Sequence, residues 1–145
     1  SKGFTARDFK VLHPGGQLGA RLKLVGDLMH KGDRLPLTPS DMPMAEAIVV
    51  MTEKAFGCLG VVDSDGRLAG IITDGDLRRH MGDGLLARRT GEIMTGAPKT
   101  VSPELLASAA LEVINSSSIT ALFVVEDGRP VGIIHIHDLL RAGVM

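Results

Sequence analysis

The segment Thr73-Asp74-Gly75-Asp76-Leu77-Arg78-Arg79 packs a hydroxyl, carboxylates and guanidinium groups into a few residues, directly after the apolar run Gly70-Ile71-Ile72. A strand end running into a helix start is expected there. Thr73 can cap that helix with its hydroxyl, and Asp76, three residues on, can answer as in a capping box. A helix start also offers unpaired N–H groups and a positive dipole end, which suit an anion such as phosphate. Asp76 can accept hydrogen bonds from a ribose diol. Capping alone also accounts for both side chains, and the spacing leaves the two readings open.

A second segment has the same shape: Gly132-Ile133-Ile134-His135-Ile136-His137-Asp138-Leu139. His135 stands where the first has Thr73, and His137 follows two residues on. Two histidines on a turn can chelate a metal, but no third ligand is spaced to help; the others are His13, His30 and His80. No metal site is therefore expected. Helix capping, or an anion contact by a partly protonated histidine, fits better, since histidine titrates near neutrality.

Other candidates carry less. Cys58 is the only cysteine, which excludes an internal disulfide and a cysteine-based zinc site. Its neighbours, Gly57 and Leu59-Gly60-Val61-Val62, make it read as a small buried residue rather than a reactive thiol. Gly15, Gly16 and Gly19 resemble a phosphate loop only weakly, without the Lys-Ser/Thr of a P-loop. No Ser-His-Asp or Cys-His set stands at recognisable spacing.

The elements that position these groups come from a repeat. Val25-Gly26-Asp27-Leu28-Met29 matches Thr90-Gly91-Glu92-Ile93-Met94, 65 residues on, and Asp76-Leu77 matches Asp138-Leu139, 62 residues on. Between these lie two more matches: Ala47-Ile48-Val49-Val50-Met51 with Ala110-Leu111-Glu112-Val113-Ile114, and Val61-Val62-Asp63 with Val124-Val125-Glu126. Each copy predicts a Pro-marked turn at Pro39 or Pro103. Then comes a helix over roughly 43–54 or 103–116, the second opened by Ser102-Pro103 as N-cap and first turn. Two apolar strands follow, near 58–62 and 68–72, then near 121–125 and 130–134, around turns holding Asp65-Gly66 and Asp127-Gly128. A last helix starts near Asp74 or Ile136. The order β-α-β-β-α, twice, predicts an α/β (α+β) fold of two repeats packed as a pseudo-twofold pair. One copy of about 60 residues is marginal alone, so a shared core is expected. The expected divisions are a tail over 1–24, repeat 1 over 25–82 and repeat 2 over 83–145, with Arg88-Arg89 solvated in the linker.

With a formal net charge of −1 and no Trp or Tyr, neither nucleic acid nor an anionic membrane is an expected partner. No apolar run approaches the ~20 residues that span a membrane. The start, Ser1-Lys2-Gly3-Phe4, reads as neither signal peptide nor initiator Met, and a cytoplasmic piece of a longer chain is expected.

Together, Gly70-Ile71-Ile72-Thr73-Asp74-Gly75-Asp76-Leu77-Arg78-Arg79 and its repeat resemble a tandem pair of CBS domains, a Bateman module, over residues 25–142. The resemblance implies nucleotide binding, with Thr73 and Asp76 in one cleft and Asp138 in the other. His135 departs from the family's Thr or Ser. It also implies that Thr38, Gly57, Cys58, Asp74, Arg79, Lys99, Thr100, Thr120, Ala121, His135 and His137 line or border the clefts. Further, Gly3-Phe4-Thr5, Asp8-Phe9, His13-Pro14-Gly15-Gly16-Gln17-Leu18-Gly19 and Asp27-Leu28-Met29-His30 resemble the C-terminal half of bacterial D-arabinose-5-phosphate isomerases, which serve synthesis of the lipopolysaccharide sugar Kdo. That implies a sugar-isomerase domain as the partner in the same chain, and His13 as a contributor to its active site. No cofactor is expected, and with no complete catalytic constellation in the sequence no catalysis by these residues alone is expected. The expected role is regulatory, with CMP-Kdo or an adenine nucleotide as effector. The alternative is a structural module that only dimerises, as a pair of CBS pairs in a tetrameric parent. Residues 1–24 are expected to be mobile without their partner.

Overall fold

The computed structural model describes residues 22–82 and 84–144. His13 and nearly all of the expected tail lie outside them. Repeat 1 contributes α1 (Val25–Leu28), β1 (Leu37–Pro39), α2 (Met44–Lys54), β2 (Cys58–Val62), β3 (Leu68–Thr73) and α3 (Asp74–Arg79). Repeat 2 contributes α4 (Thr90–Ile93), β4 (Thr95–Gly96), β5 (Thr100–Val101), α5 (Ala107–Ser117), β6 (Ala121–Glu126), β7 (Arg129–His135) and α6 (Ile136–Arg141).

The helices follow the apolar periodicity. Met44, Ala47 and Met51 on α2 are buried against Leu59, Val61 and Ile72. Ala107, Ala110, Leu111 and Ile114 on α5 are buried against Leu122, Val124 and Ile134. Both helices end on a residue in left-handed conformation, Ala55 at φ 64° and Ser118 at φ 55°. The hairpin at Asp127-Gly128 has positive φ at both turn residues, 52° and 79°. That backbone twist suits a tight antiparallel connection, and Asp-Gly tolerates it.

The two sheets exchange edges. In one the order is β1-β2-β3-β4, with β1 parallel to β2 and the remaining pairs antiparallel. Its last strand, β4, follows α4 and so belongs to the start of repeat 2. The second sheet runs β5-β6-β7, and His30, just after α1 of repeat 1, bridges to Ile133 on β7. Each repeat thus closes the other's sheet. The hairpin tips do the same: Arg67 donates to the Asp127 carbonyl, Arg129 to the Asp65 carbonyl, and the Leu68 N–H to the Gly128 carbonyl at 2.9 Å.

Between the sheets lies a shared core of Phe56, Cys58, Ala121, Phe123 and Ile133, with Leu37, Leu68 and Ile71 packed on it. Gly60 and Phe123 are equivalent positions of the two repeats, 63 residues apart. They meet at the centre: a Cβ on Gly60 would lie 2.8 Å from Phe123 Cζ and 2.9 Å from Leu37 Cδ2.

One expectation changes. The helix start expected at Ser102-Pro103 is displaced to Ala107, the first residue of α5. The carbonyls of Pro103 and Leu105 instead accept from the N–H groups of Gly26 and Val25, at 2.9 and 2.8 Å, and the Ala107 N–H reaches the Lys23 carbonyl. Inter-repeat pairing therefore takes the backbone groups that a first helical turn would have used. Arg89 in the linker is exposed and Arg88 half-buried, in keeping with a solvated pair, while the segment around them is anchored. Leu85 is buried in the α2 core, the Arg88 carbonyl accepts from Met44 N–H at 2.7 Å, and buried Thr90 donates to the Pro39 carbonyl at 2.6 Å.

A Gly60→Ala change is expected to lower unfolding free energy by about 1–3 kcal/mol, the cost of overpacking a filled core. Gly96→Ala, whose Cβ meets nothing closer than a carbonyl oxygen at 4.0 Å, should change it by less than about 0.5 kcal/mol. Urea denaturation of the two variants checks this; equal effects would contradict the packing account.

Candidate ligand-binding clefts

Two clefts open where the repeats meet, one beside each strand-to-helix turn. The first has a volume of about 610 Å³. Its apolar wall is Cys58, Ile71, Ile119 and Ala121, from strands and helix ends of both repeats. Its polar groups are Thr73 and Asp74 at the β3–α3 turn, Arg78 in the last turn of α3, Thr95 and Lys99 on the crossing segment, Ser117 and Ser118 at the end of α5, and Thr120 before β6. Of the expected residues, Gly57, Cys58, Thr73, Asp74, Lys99, Thr120 and Ala121 line this cleft.

Asp76 does not line it. Asp76 is 2% exposed, and its carboxylate is spent inside the wall. Oδ2 accepts from the Thr73 N–H at 2.9 Å and the Thr73 hydroxyl at 3.2 Å; Oδ1 accepts from the Thr95 hydroxyl at 2.7 Å and from Arg79. Burial would raise its pKa, but the hydrogen bonds from Thr95, Thr73 and Arg79 outweigh it and hold the carboxyl below the usual range. Thr73 and Asp76 thus form the expected reciprocal turn, extended by Thr95 from the other repeat.

The second cleft, of about 320 Å³, mirrors the first with different chemistry. Asp138 accepts from the His135 N–H at 2.8 Å, from His30 Nε2 at 2.9 Å and from Arg141 at 2.6 Å. His30 takes the part of Thr95, and Arg141 that of Arg79. Burial pushes Asp138 up, and the bonds from His135 and His30, with the nearby His30 and Arg141 charges, pull it below its ordinary value. His135, His137 and Asp138 line this cleft, joined by His30, Arg34, Lys54, Phe56 and Arg141.

The capping expected at His135 is present in the structure. Its Nδ1 accepts from the His137 N–H at 3.0 Å, so it caps α6 in place of a hydroxyl. Burial, then the neighbouring His137, lowers its pKa. Among the described residues no group of histidine, cysteine, aspartate and glutamate side chains could hold a metal ion. No described helix is long and apolar enough to cross a membrane. Cys58 is buried, and burial pushes its thiol up to about 12.

Thr38, Arg79 and Thr100 line neither cleft, and Arg79 is bonded to Asp76 instead. Thr38 is 1% exposed, and its hydroxyl has no partner among the described residues. Residues that sequence reading passed over include Thr95, Arg78 and Ser118 in the first cleft, and His30, Arg34, Lys54 and Arg141 in the second. The aligned pairs Met29-His30 and Met94-Thr95 held the signal for His30 and Thr95.

The lowered values of Asp76, Asp138 and His135 act in one direction. Each group binds protons more weakly in the folded state, so folding stability is complete above the unfolded values and falls with acidification. Part is lost below about pH 6.5 through His135, and more below about pH 4 through the carboxylates. Thermal melts from pH 7 to 3 should decline in that order, and Asp76→Asn together with Asp138→Asn should flatten the lower step. A melting temperature that rises on acidification would contradict this.

Comparison with known proteins is consistent with these geometries. The CBS domain family model matches residues 25–83 and 91–144. An arabinose 5-phosphate isomerase KdsD of Pseudomonas aeruginosa is 48% identical over the whole chain, and that of Escherichia coli K12 is 40% identical. The chain spans about half the length of these curated relatives, 46% and 45%. Among solved structures, CBSX2 in complex with AMP superimposes with a TM-score of 0.74 at 24% identity, covering 83% of this chain and 96% of that one. The CBS domain pair of protein MJ0100, in complex with 5′-methylthioadenosine and S-adenosyl-L-methionine, gives 0.72 at 27% identity, covering 82% and 94%. With both repeats matched, the chain belongs to the CBS domain family and carries the domain as a tandem pair.

Proposed function

We propose that this CBS pair is the regulatory, ligand-sensing part of an arabinose 5-phosphate isomerase, and that the first cleft takes a nucleotide-type effector. The observation that carries the reading is the first cleft itself. It has the size of a small-molecule site, about 610 Å³, and is built from both repeats. Its wall of Cys58, Ile71, Ile119 and Ala121 suits the flat face of a base. Arg78 and Lys99 suit phosphate or carboxylate, and the Thr73 and Thr120 hydroxyls suit sugar hydroxyls.

CMP-Kdo, the end product of the pathway such an isomerase serves, is the proposed ligand. It offers a base, a ribose, a phosphate and a sugar carboxylate, and two cations flank the cleft for the two anions. Adenine nucleotides are the second choice, favoured by the adenosine moiety common to both ligands of the MJ0100 CBS pair. A ligand seated between the repeats regulates an attached domain only through a difference in affinity between two arrangements, typically worth about 1–3 kcal/mol. Catalysis belongs to the attached isomerase domain, with His13 contributing to that site in this reading. The module also self-associates in this proposal, and exposed Val49 and Leu86 offer apolar surface for it.

Isothermal titration with CMP-Kdo, CMP, ATP and AMP tests the assignment. Binding of CMP-Kdo at least about tenfold tighter than ATP is expected, weakened about tenfold or more by Arg78→Met or Lys99→Met through loss of a charge-assisted hydrogen bond. Equal binding of CMP-Kdo and ATP would remove the end-product assignment. No binding by any of the four would favour the structural role, in which oligomeric state is the same with and without nucleotide.

A further inference from the structure

We propose that the second cleft is a site for a compact polyanion, a phosphate- or diphosphate-type group, and does not take a nucleoside. The cleft is about half the volume of the first, 320 against 610 Å³. Its only apolar lining is Ala55 and Phe56, and the Phe56 ring is already engaged. The Arg34 guanidinium lies 5.8 Å from its centroid, and the His30 ring lies 5.0 Å away, tilted by 54°. Phe56 is 6% exposed and so offers a base little open face.

The charges converge on an anion. Arg34 comes from the turn after α1, Lys54 from the end of α2 and Arg141 from the end of α6, and all three line the cleft. Against them stands one carboxylate, Asp138, which is 8% exposed and already bonded to Arg141 and His30. Lys54 donates one N–H to the Asp33 carbonyl and keeps two donors. Arg141 uses one Nη2 on Asp138, leaving donors on its other nitrogens. His137 adds a ring at the mouth, 4.6 Å from His135. His135 caps α6 through Nδ1, and the cationic contacts come from Arg34, Lys54 and Arg141. Guanidinium and ammonium donors at this density match phosphoryl oxygens, which accept bonds from several directions. The inference does not depend on the effector assigned to the first cleft.

The test is isothermal titration of the 145-residue chain with sodium phosphate and sodium pyrophosphate at fixed ionic strength, with Arg34→Gln, Lys54→Met, Arg78→Met and Lys99→Met variants. Pyrophosphate is expected to bind more tightly than phosphate. Arg34→Gln or Lys54→Met should weaken it about tenfold, while Arg78→Met and Lys99→Met leave it within about twofold. Arg34 is exposed, so that variant carries the test alone if Lys54→Met melts early. No heat with pyrophosphate, or loss confined to the Arg78 and Lys99 variants, would overturn the proposal. A nucleotide whose binding is lost in Lys54→Met but kept in Arg78→Met would also overturn it, because the second cleft would then hold the nucleoside.

Discussion

Phe123 fills the space that a side chain at position 60 would need. The two positions are equivalent in the repeats, and they meet in the core between the sheets. Two large residues could not share that point, and two small ones would leave a void that costs stability in proportion to its volume. One phenylalanine against one glycine, with Cζ 2.8 Å from the site of a hypothetical Cβ, brings the sheets together without either. This asymmetry inside a near-symmetric pair sets the distance at which everything else in the module must match.

At that distance each repeat can reach the other's turn. The Thr95 hydroxyl and the His30 ring cross to the carboxylates of Asp76 and Asp138. Arg67 and Arg129 cross at the hairpin tips. The carboxylates are thus latches between repeats, held ionised by those same bonds. The first cleft is lined from both repeats, and its walls include the latched segments. Any change in the angle between repeats alters that cleft, which gives a bound molecule a physical route to the rest of a longer chain.

Much of this was legible in residue order. The period of 62–65 residues, the Asp-Gly turns and the helical spacing of Met44, Ala47 and Met51 predicted elements that the structure contains. The turn chemistry of Thr73 with Asp76 was legible because a capping box is local. What crosses between repeats was not. Ser102-Pro103 carries a good local helix start, yet tertiary pairing with Val25 and Gly26 moves the helix to Ala107. Asp76 looked available to a ribose, and its engagement by Thr95 depends on a residue 19 positions away. The cationic set of Arg34, Lys54 and Arg141 comes from separate elements, and no local pattern unites it.

The central claim is that the first cleft binds its ligand across the junction of the repeats. Amide chemical-shift mapping of the 145-residue chain during titration with CMP-Kdo addresses it most directly. The account predicts coincident shifts at Gly57, Cys58, Gly75, Lys99, Thr120 and Ala121, drawn from both repeats and saturating together. Shifts confined to one repeat, or spread over the outer helix faces with these amides unmoved, would contradict it.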